Sequence, residues 1–526
     1  MDEIHGATTL PAFFAECAAK FRDRVYLWEN TGNGYRPCTY GETEHQVRVL
    51  AGGLIALGIG EHERVALLSE ARNHWIISEL AILTAGAVNV PLSVRIQEPS
   101  ELIFRIGHAG ADTVIVSGNH LDKIRAIRHA LPGLKRVIVL DEPEDREPGE
   151  MLLGEVLALG AALLDEDPGC VSRRVAAVSP SDPANISYTS GTTSDPKGII
   201  LTHGNYVTNV RQAYSLMDIT PDFVTLLMLP WDHAFAHTAG LYCFMGKGAS
   251  VASVQAGKTT LESLKNLPRN IREIRPYLLY SVPAIAANFR RNIEKGVEAR
   301  GGLSPALFRA GLTVAYCYNG NGFDRGTGWK ALLKPAVLFF DWLVFRKVRE
   351  VFGGRLRFFI GGGALLDVEL QRFFYAIGIP MLQGYGLTEA SPLISANSLQ
   401  HHKLGSSGRI VEGLEAEIRD DQGNILPSGE RGEIVIRGGN VMAGYWNNPE
   451  ASAEVLRNGW LHTGDMGYID RDGYLFVLGR FKSLLIADDG EKYSPEGMEE
   501  AVTGHSQVIA QCMLYNNQHP YTVAVV

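Results

Sequence analysis

The sequence predicts an α/β fold with helix-covered, mostly parallel sheets and a small β subdomain near its end. Three observations carry this. Apolar strand-like runs alternate with helical patterns between residues 64 and 140, which is how a parallel sheet covered by helices is encoded. From 405 to 480 the pattern changes to short strands separated by Asp-Gln-Gly and Asp-Gly turns, the mark of antiparallel pairing. At 526 residues the chain is too long for one core, so two or more domains are expected.

Residues 9 to 60 read as helices around a short hairpin. TLPAFFAECAAKF has apolar positions at helical spacing, and VYLWENTGNGYRPCTY is two strands joined by Gly and Asn. TYGETEHQVRVLAGGLIALG is a helix capped at Thr39 and ended by Gly58. RVALLS, a helix through ISELAILTAG, VNVPL, a helix near 99–108, TVIVS, a helix near 121–130 and RVIVL follow. Residues 141 to 180 begin acidic and loop-like, and are expected to form a surface excursion.

The stretch ISYTSGTTSDPKGIILTHG (186–204) reads strand, loop, strand. Between the strands every residue is small, hydroxylated or Gly until Pro196 and Lys197. Amides and hydroxyls of such a loop bind polyphosphate oxygens while the lysine offsets charge. It is not a Walker loop, because GxxxxGK[ST] is absent and no helix start follows the lysine. A flexible surface turn is the plainer alternative.

A helix over 202–215 comes next. VTLLMLPWDHAFAHTAG then takes a buried strand into a turn bearing His233 and His237, four residues apart. That spacing could place two imidazoles on one helical face, but no third ligand is evident, so a metal centre is not expected there. PYLLYSVPAIAANF is strand then helix. The most apolar helical stretch, 331–352, is interrupted by Lys334, Asp341, Arg346 and Lys347. It is unsuited to spanning a bilayer; it could lie on one, or be an amphipathic helix packed on the body.

Leu356 to Ile360 is a buried strand running into Gly361-Gly362-Gly363-Ala364, where glycine would let a flat ring approach the backbone; a plain turn is the alternative. IPMLQGYGLTEAS (379–391) delivers Tyr385, Thr388 and Glu389 within five residues. These are a flat aromatic, a hydroxyl and a carboxylate, the groups needed for a base, its phosphates and a divalent cation. A Thr-Glu pair opening a helix is the structural alternative. In the β subdomain, Trp460-Leu461-His462-Thr463-Gly464-Asp465 sets an aspartate on a Gly-tight turn, where one carboxylate can accept both vicinal hydroxyls of a sugar.

Together SGTTSDPKG, YGLTE, TGD and LGRFK strongly resemble the signatures of the acyl-adenylate-forming superfamily of acyl-CoA synthetases, luciferases and adenylation domains. The extended region 290–352, with a helix before GGRLR, resembles the long-chain fatty acyl-CoA synthetases. The resemblance implies two helix-covered sheets plus a β-barrel-like subdomain (about 405–480) in an N-terminal adenylation domain over 1–480, then a partial small α+β domain over 481–526 hinged at Lys482. It implies nucleotide contacts from Thr189, Ser190, Gly191, Thr192, Thr193, Lys197, Gly362, Gly363, Ala364, Gln383, Gly384, Tyr385, Gly386, Thr388, Asp465 and Arg480. It implies catalytic roles for Lys197, Thr388, Glu389 and His233, with Glu389 as the Mg²⁺ ligand and His233 lining the acyl pocket. This chain departs from the family pattern at Gly361, where a serine is usual, at Leu365, where a proline is usual, and at Ser483, where an acidic residue is common. The family's C-terminal domain would continue beyond 526 with a catalytic lysine, and no residue here matches it, so either the sequence is truncated or the natural protein is short.

The implied substrates are a fatty acid, ATP and coenzyme A, with Mg²⁺. The implied reaction is carboxylate activation to acyl-AMP with release of pyrophosphate, then transfer to coenzyme A. Loading of a carrier protein or another acceptor, and a nucleotide-binding pseudoenzyme, are the rival readings. Net charge of -9 without a basic block argues against nucleic acid. Six scattered cysteines without a CxxC pair point to a reducing compartment, and MDEIHGATTL is too polar for a signal peptide. The expectation is a cytoplasmic protein, with room for peripheral membrane contact and for a homodimer.

Overall fold

The computed structural model describes residues 6–189, 196–257, 260–480, 485–487, 492–493, 495, 498–499, 502, 509, 512–519 and 521–526. The chain divides into two compact units: Met1–Tyr280 with Leu387–Pro392 and Gly439–Glu454, and Ser281–Gly386 with Leu393–Gly438 and Val455–Val526.

The first unit holds an eight-stranded sheet in the order Gly444–Tyr445, Lys197–Thr202, Pro183–Thr189, Val88–Pro91, Arg64–Leu68, Thr113–Val116, Arg136–Val139, Glu150–Leu152. The pairs from Pro183–Thr189 to Glu150–Leu152 are parallel, and the other two are antiparallel. The central strands are rich in Val, Ile, Ala and Leu and almost wholly buried, as expected of a parallel sheet covered on both faces. A second sheet runs Val224–Leu227, Ser250–Ser253, Val25–Asn30 in parallel, closed by the Tyr35–Thr39 hairpin strand. Thr39 caps the helix Tyr40–Ala56 with a full capping box through Glu42.

The expected excursion is only partly a loop. From Glu150 onward the chain forms the edge strand and the helix Leu153–Glu166, which lies against Tyr40–Ala56. Glycines set this approach: a Cβ on Gly160 would sit 1.9 Å from the Val49 carbonyl oxygen, and one on Gly53 would sit 2.2 Å from that of Val156. The acidic character of 141–149 concealed that seam.

In the second unit, Phe358–Gly361 and Met381–Gly386 are parallel, and Leu393–Ala396 and Arg409–Ile410 add antiparallel strands. The β-barrel-like subdomain expected at about 405–480 contains an antiparallel sheet of Glu415–Arg419, Gly432–Arg437 and Trp460–Ile469, with Leu456–Arg457 and Leu475–Arg480 both paired to Trp460–Ile469. The α/β class and the β subdomain are therefore borne out. The apolar stretch after 330 is a helical run of changing pitch: 3-10 over Gly328–Leu333, α over Lys334–Phe340, π over Asp341–Phe345, α over Arg346–Arg349 and 3-10 over Glu350–Phe352. Among the described residues no helix is long and apolar enough to cross a membrane.

Candidate active-site residues in each unit

In the first unit the strand Pro183–Thr189 turns back on Lys197–Thr202, with Thr189 opposite Lys197. Ser190, Gly191, Thr192 and Thr193 lie outside the described residues. Lys197 lies at the mouth of this hairpin, half-buried. Its Nζ stands 4.9 Å from the centre of the Tyr445 ring, a cation–π distance. The Tyr445 hydroxyl in turn donates to Glu389 Oε1 at 3.0 Å. One tyrosine thus links the lysine to the carboxylate.

That link depends on pairing across long sequence separations. Tyr445 sits opposite Ile199, Ala443 N donates to the Ile200 carbonyl, and Trp446 N donates to the Gly198 carbonyl. Thr388 and Glu389 lie on a single 3-10 turn, Thr388–Ala390. Met442 N donates to the Glu389 carbonyl, and Asn440 Nδ2 to that of Ala390. The segment bearing Tyr445 is fixed by Asn205, whose Nδ2 donates to the Gly439 and Val441 carbonyls at 2.8 Å each. These backbone bonds set where both side chains point, since each orphaned buried amide or carbonyl would cost about 1–3 kcal/mol.

His233 and His237 part company. His237 is fully buried with its Nε2 2.8 Å from Glu79 Oε1, the oxygen that also accepts from Asn89 Nδ2. Trp75, Tyr206 and Tyr242 surround it. His233 keeps an exposed edge, and Phe235 N donates to its Nδ1 at 3.3 Å. Desolvation by the surrounding protein holds its pKa below the ordinary value, against the pull of Asp232. With Nδ1 accepting from Phe235 N, the neutral ring carries its proton on Nε2.

The second unit holds the other candidate residues. Tyr385 donates its hydroxyl to Asp465 Oδ2 at 2.6 Å, and Arg480 Nε lies 3.6 Å from Asp465 Oδ1. Asp465 is 5 % exposed, so these partners offset the desolvation of its charge. Burial first, and the Asp465 carboxylate second, push the Tyr385 phenol far above its usual pKa, so it remains a donor. Gly464 turns the chain at φ +69°, and its N–H donates to Glu433 Oε1, whose other oxygen lies 2.8 Å from His462 Nδ1. Glu433 thereby fixes the TGD turn.

Gly362 N donates to the Ser281 carbonyl, Gly363 adopts φ +82°, and Gly363 and Ala364 are exposed. Gln383 Nε2 donates to the Ala364 and Gly384 carbonyls at 3.1 and 3.0 Å, tying this loop to the strand Met381–Gly386. A Cβ on Gly361 would meet its neighbours at 3.6 Å or more, which is ordinary van der Waals contact. Gly386 ends its strand exposed. Lys482 lies outside the described residues.

Sequence reasoning missed Tyr445 and Glu433. Neither belongs to a chemical signature, and each acts through a partner far along the chain. Among the described residues no group of three or more His, Cys, Asp or Glu could hold a metal unaided. Glu389 is the carboxylate that could share one with a phosphate.

The family model described as AMP-binding enzyme matches residues 14–446. Long-chain-fatty-acid–CoA ligase FadD15 of Mycobacterium bovis is 30 % identical over 491 residues, covering 93 % of this chain and 76 % of that protein. A chloroplastic long-chain-fatty-acid–acyl-carrier-protein ligase of Arabidopsis thaliana is 28 % identical over 550 residues, covering 96 % and 74 %. Among solved structures, the anthranilate CoA ligase AuaEII in complex with anthranoyl-AMP aligns with a TM-score of 0.74 at 22 % identity, over 95 % of this chain and 84 % of that one. The o-succinylbenzoate CoA synthetase MenE of Bacillus subtilis aligns with a TM-score of 0.68 at 21 % identity, over 97 % and 86 %. With this match across most of its length, the chain belongs to the AMP-binding enzyme family.

Proposed function

We propose that this enzyme is an AMP-forming acid–thiol ligase acting on long-chain fatty acids with ATP and coenzyme A. The observation that carries the reading is the link from Lys197 through Tyr445 to Glu389 in one unit. It sets a cation over the ring and a carboxylate at the hydroxyl of one tyrosine, the pairing a triphosphate requires. FadD15, which matches over most of the chain, is named a long-chain-fatty-acid–CoA ligase.

In the first step a fatty carboxylate oxygen attacks the α-phosphorus. The new O–P bond forms as the α–β bridging bond breaks, and that electron pair leaves with pyrophosphate. Two anions must meet, so the barrier is largely electrostatic. Lys197 offsets charge on the phosphates, and the 190–194 loop is assigned the remaining donors. Neutral His233 offers Nε2–H beside the acyl carboxylate without adding a charge to be desolvated. Asp465 binds the ribose diol, because one carboxylate offers two acceptor oxygens. The Gly362–Ala364 loop, braced by Gln383, faces the adenine.

The residues fit Mg²⁺, which is held by one or two carboxylates plus substrate phosphates, and Glu389 would supply the protein ligand. Bound there, the ion would neutralise charge on the phosphate oxygens. In the second step the coenzyme A sulfur attacks the acyl carbon, the carbon–oxygen bond to AMP breaks and AMP leaves. Residues 1–480 are assigned to adenylation and 481–526 to a smaller domain hinged at Lys482.

Pyrophosphate exchange with carboxylates of graded length tests the first step, with exchange expected for long-chain acids. Mass detection of the thioester then tests the acceptor. The acyl-carrier-protein ligase among the relatives favours a second reading, in which pantetheine on a carrier protein replaces coenzyme A. Exchange without acyl-CoA, but with an acylated carrier protein, would select it. Absence of exchange with every carboxylate would overturn both.

A further inference from the structure

We propose that the helical run from Gly328 to Arg349 in the second unit docks this protein onto anionic lipid bilayers. The proposal rests on the surface of that run and is independent of the adenylation reading.

The run has two faces. Phe345 and Val348 are buried, and Phe340 and Phe345 close over Gly311 of the helix Ser304–Asn319, where a Cβ would lie 3.1 and 3.0 Å from their rings. Phe308 of that helix meets the Phe345 ring at 6.1 Å. The opposite face is open. Trp329 is 66 % exposed, Leu332 81 %, Leu338 60 %, Phe339 52 % and Trp342 66 %. Pro335, Leu338, Phe339, Trp342 and Arg346 recur at helical spacing along it. Five large exposed apolar side chains in this one run, with Leu338, Phe339 and Trp342 on one helical face, are more than scattered surface hydrophobes, and two are tryptophans, the residue type favoured at the membrane–water interface.

Charge identifies the occupant. Between 328 and 349 the chain carries Lys330, Lys334, Arg346, Lys347 and Arg349 against Asp341 alone, a net of +4 within a chain of net -9. Lys330 is committed to Asp324 and Arg349 to Asp341. Lys334, Arg346 and Lys347 are exposed, and among the described residues no acid pairs with them. A second copy docking on this face around a two-fold axis would bring those cations against themselves. A neutral protein groove would answer the aromatics and leave the cations unmatched. An anionic lipid surface answers both: the rings enter the headgroup layer and the cations face lipid phosphates. No described helix can span a bilayer, so the contact is peripheral.

The test uses the full chain with phosphatidylcholine vesicles, with and without phosphatidylglycerol, and no nucleotide or acyl substrate. The parent is expected to float with the anionic vesicles, to release as salt is raised, and to show tryptophan quenching by brominated lipid. Each surface cation is worth about fivefold in affinity, so Lys334→Gln/Arg346→Gln/Lys347→Gln together should lose about a hundredfold. Trp329→Ser/Phe339→Ser/Trp342→Ser should abolish quenching with the thermal unfolding of the parent retained. Equal flotation of parent and both variants would overturn the proposal, as would parent binding that ignores lipid charge. A concentration-dependent dimer in sedimentation, abolished by the aromatic variant, would assign the face to a second copy and overturn it too. Should either variant fail to fold, salt release and lipid quenching of the parent still decide.

Discussion

In the first unit Lys197 and Glu389 are joined by one tyrosine that touches both, whereas in the second Tyr385, Asp465 and Arg480 hold one another directly. The first arrangement leaves charge uncommitted: among the described residues no carboxylate pairs with Lys197. The second spends much of its charge internally, because a carboxylate 5 % exposed cannot stay ionised without partners. The difference separates two tasks. A group that must stabilise charge developing in a reaction works best unneutralised in the resting site. A group that must recognise a neutral diol works best pre-fixed, so that binding orders nothing further.

That contrast can be broken at several points. Glu389→Ala should have the largest effect, a loss of turnover on the order of a hundredfold or more if it is the metal ligand. Pyrophosphate exchange titrated with Mg²⁺ checks it. An unchanged titration curve would remove Glu389 from the metal site and leave the first unit's site without its carboxylate.

Acid should act on both units alike. His203, in the first, is buried and pushed down to about 4 by desolvation. His402, in the second, is also pushed down to about 4, by burial and then by Arg325. Unfolded, each binds a proton near 6.5, so between these values the unfolded chain holds more protons than the folded one. Stability is complete above about 6.5 and falls as pH drops toward 4, by about 3 kcal/mol for each histidine. Urea unfolding at pH 7 and pH 5 measures this. His402→Phe should remove its share of the loss. If acid sensitivity is the same in parent and variant, His402 is not neutral in the folded state.

Asp465→Ala should weaken ATP binding by roughly 2–3 kcal/mol, the cost of leaving ribose hydroxyls without a charged partner. Calorimetric titration with ATP reads it directly. The comparison sharpens if this variant loses nucleotide affinity while Glu389→Ala loses turnover. Equal ATP affinity in variant and parent would remove Asp465 from the ribose.

Much of the scaffold was legible because it rests on local pattern. Thr39 with Glu42 three residues on announces its capping box, and VALL, VNVP and TVIV announce buried strands. Asp465 was visible for a related reason: Gly464 marks the turn that presents it. What failed was information stored in pairings. Gly53 and Gly160 look like weak helix positions until two helices meet over them. The run after 330 reads as one helix, but its pitch changes where Phe340 and Phe345 must both reach Gly311. Glu79 is buried against His237, a pairing that no local pattern announces. Tyr445 lies in an unremarked Gly-Tyr-Trp, and its position becomes meaningful only once that segment is zipped to Lys197–Thr202.

Tyr445 therefore supplies the finest probe of the contrast. Tyr445→Phe keeps the ring beneath Lys197 and removes only the hydroxyl that reaches Glu389. A hydrogen bond to a charged group is worth about 1.5–3 kcal/mol at most sites, and Glu389 is half-buried, where solvent can replace part of the lost bond. The expected loss is at the low end, about tenfold in exchange rate, with ATP affinity little changed. Tyr445→Leu removes the ring as well and should lose more, because the lysine then loses its cation–π partner, worth about 0.5–2 kcal/mol. The ordering of the two variants carries the information. If Phe and Leu are equally impaired, the hydroxyl alone orients the site and the ring is packing. If Phe matches the parent, Glu389 is placed by the Met442 amide and the Thr388–Ala390 turn, and the tyrosine only holds the lysine.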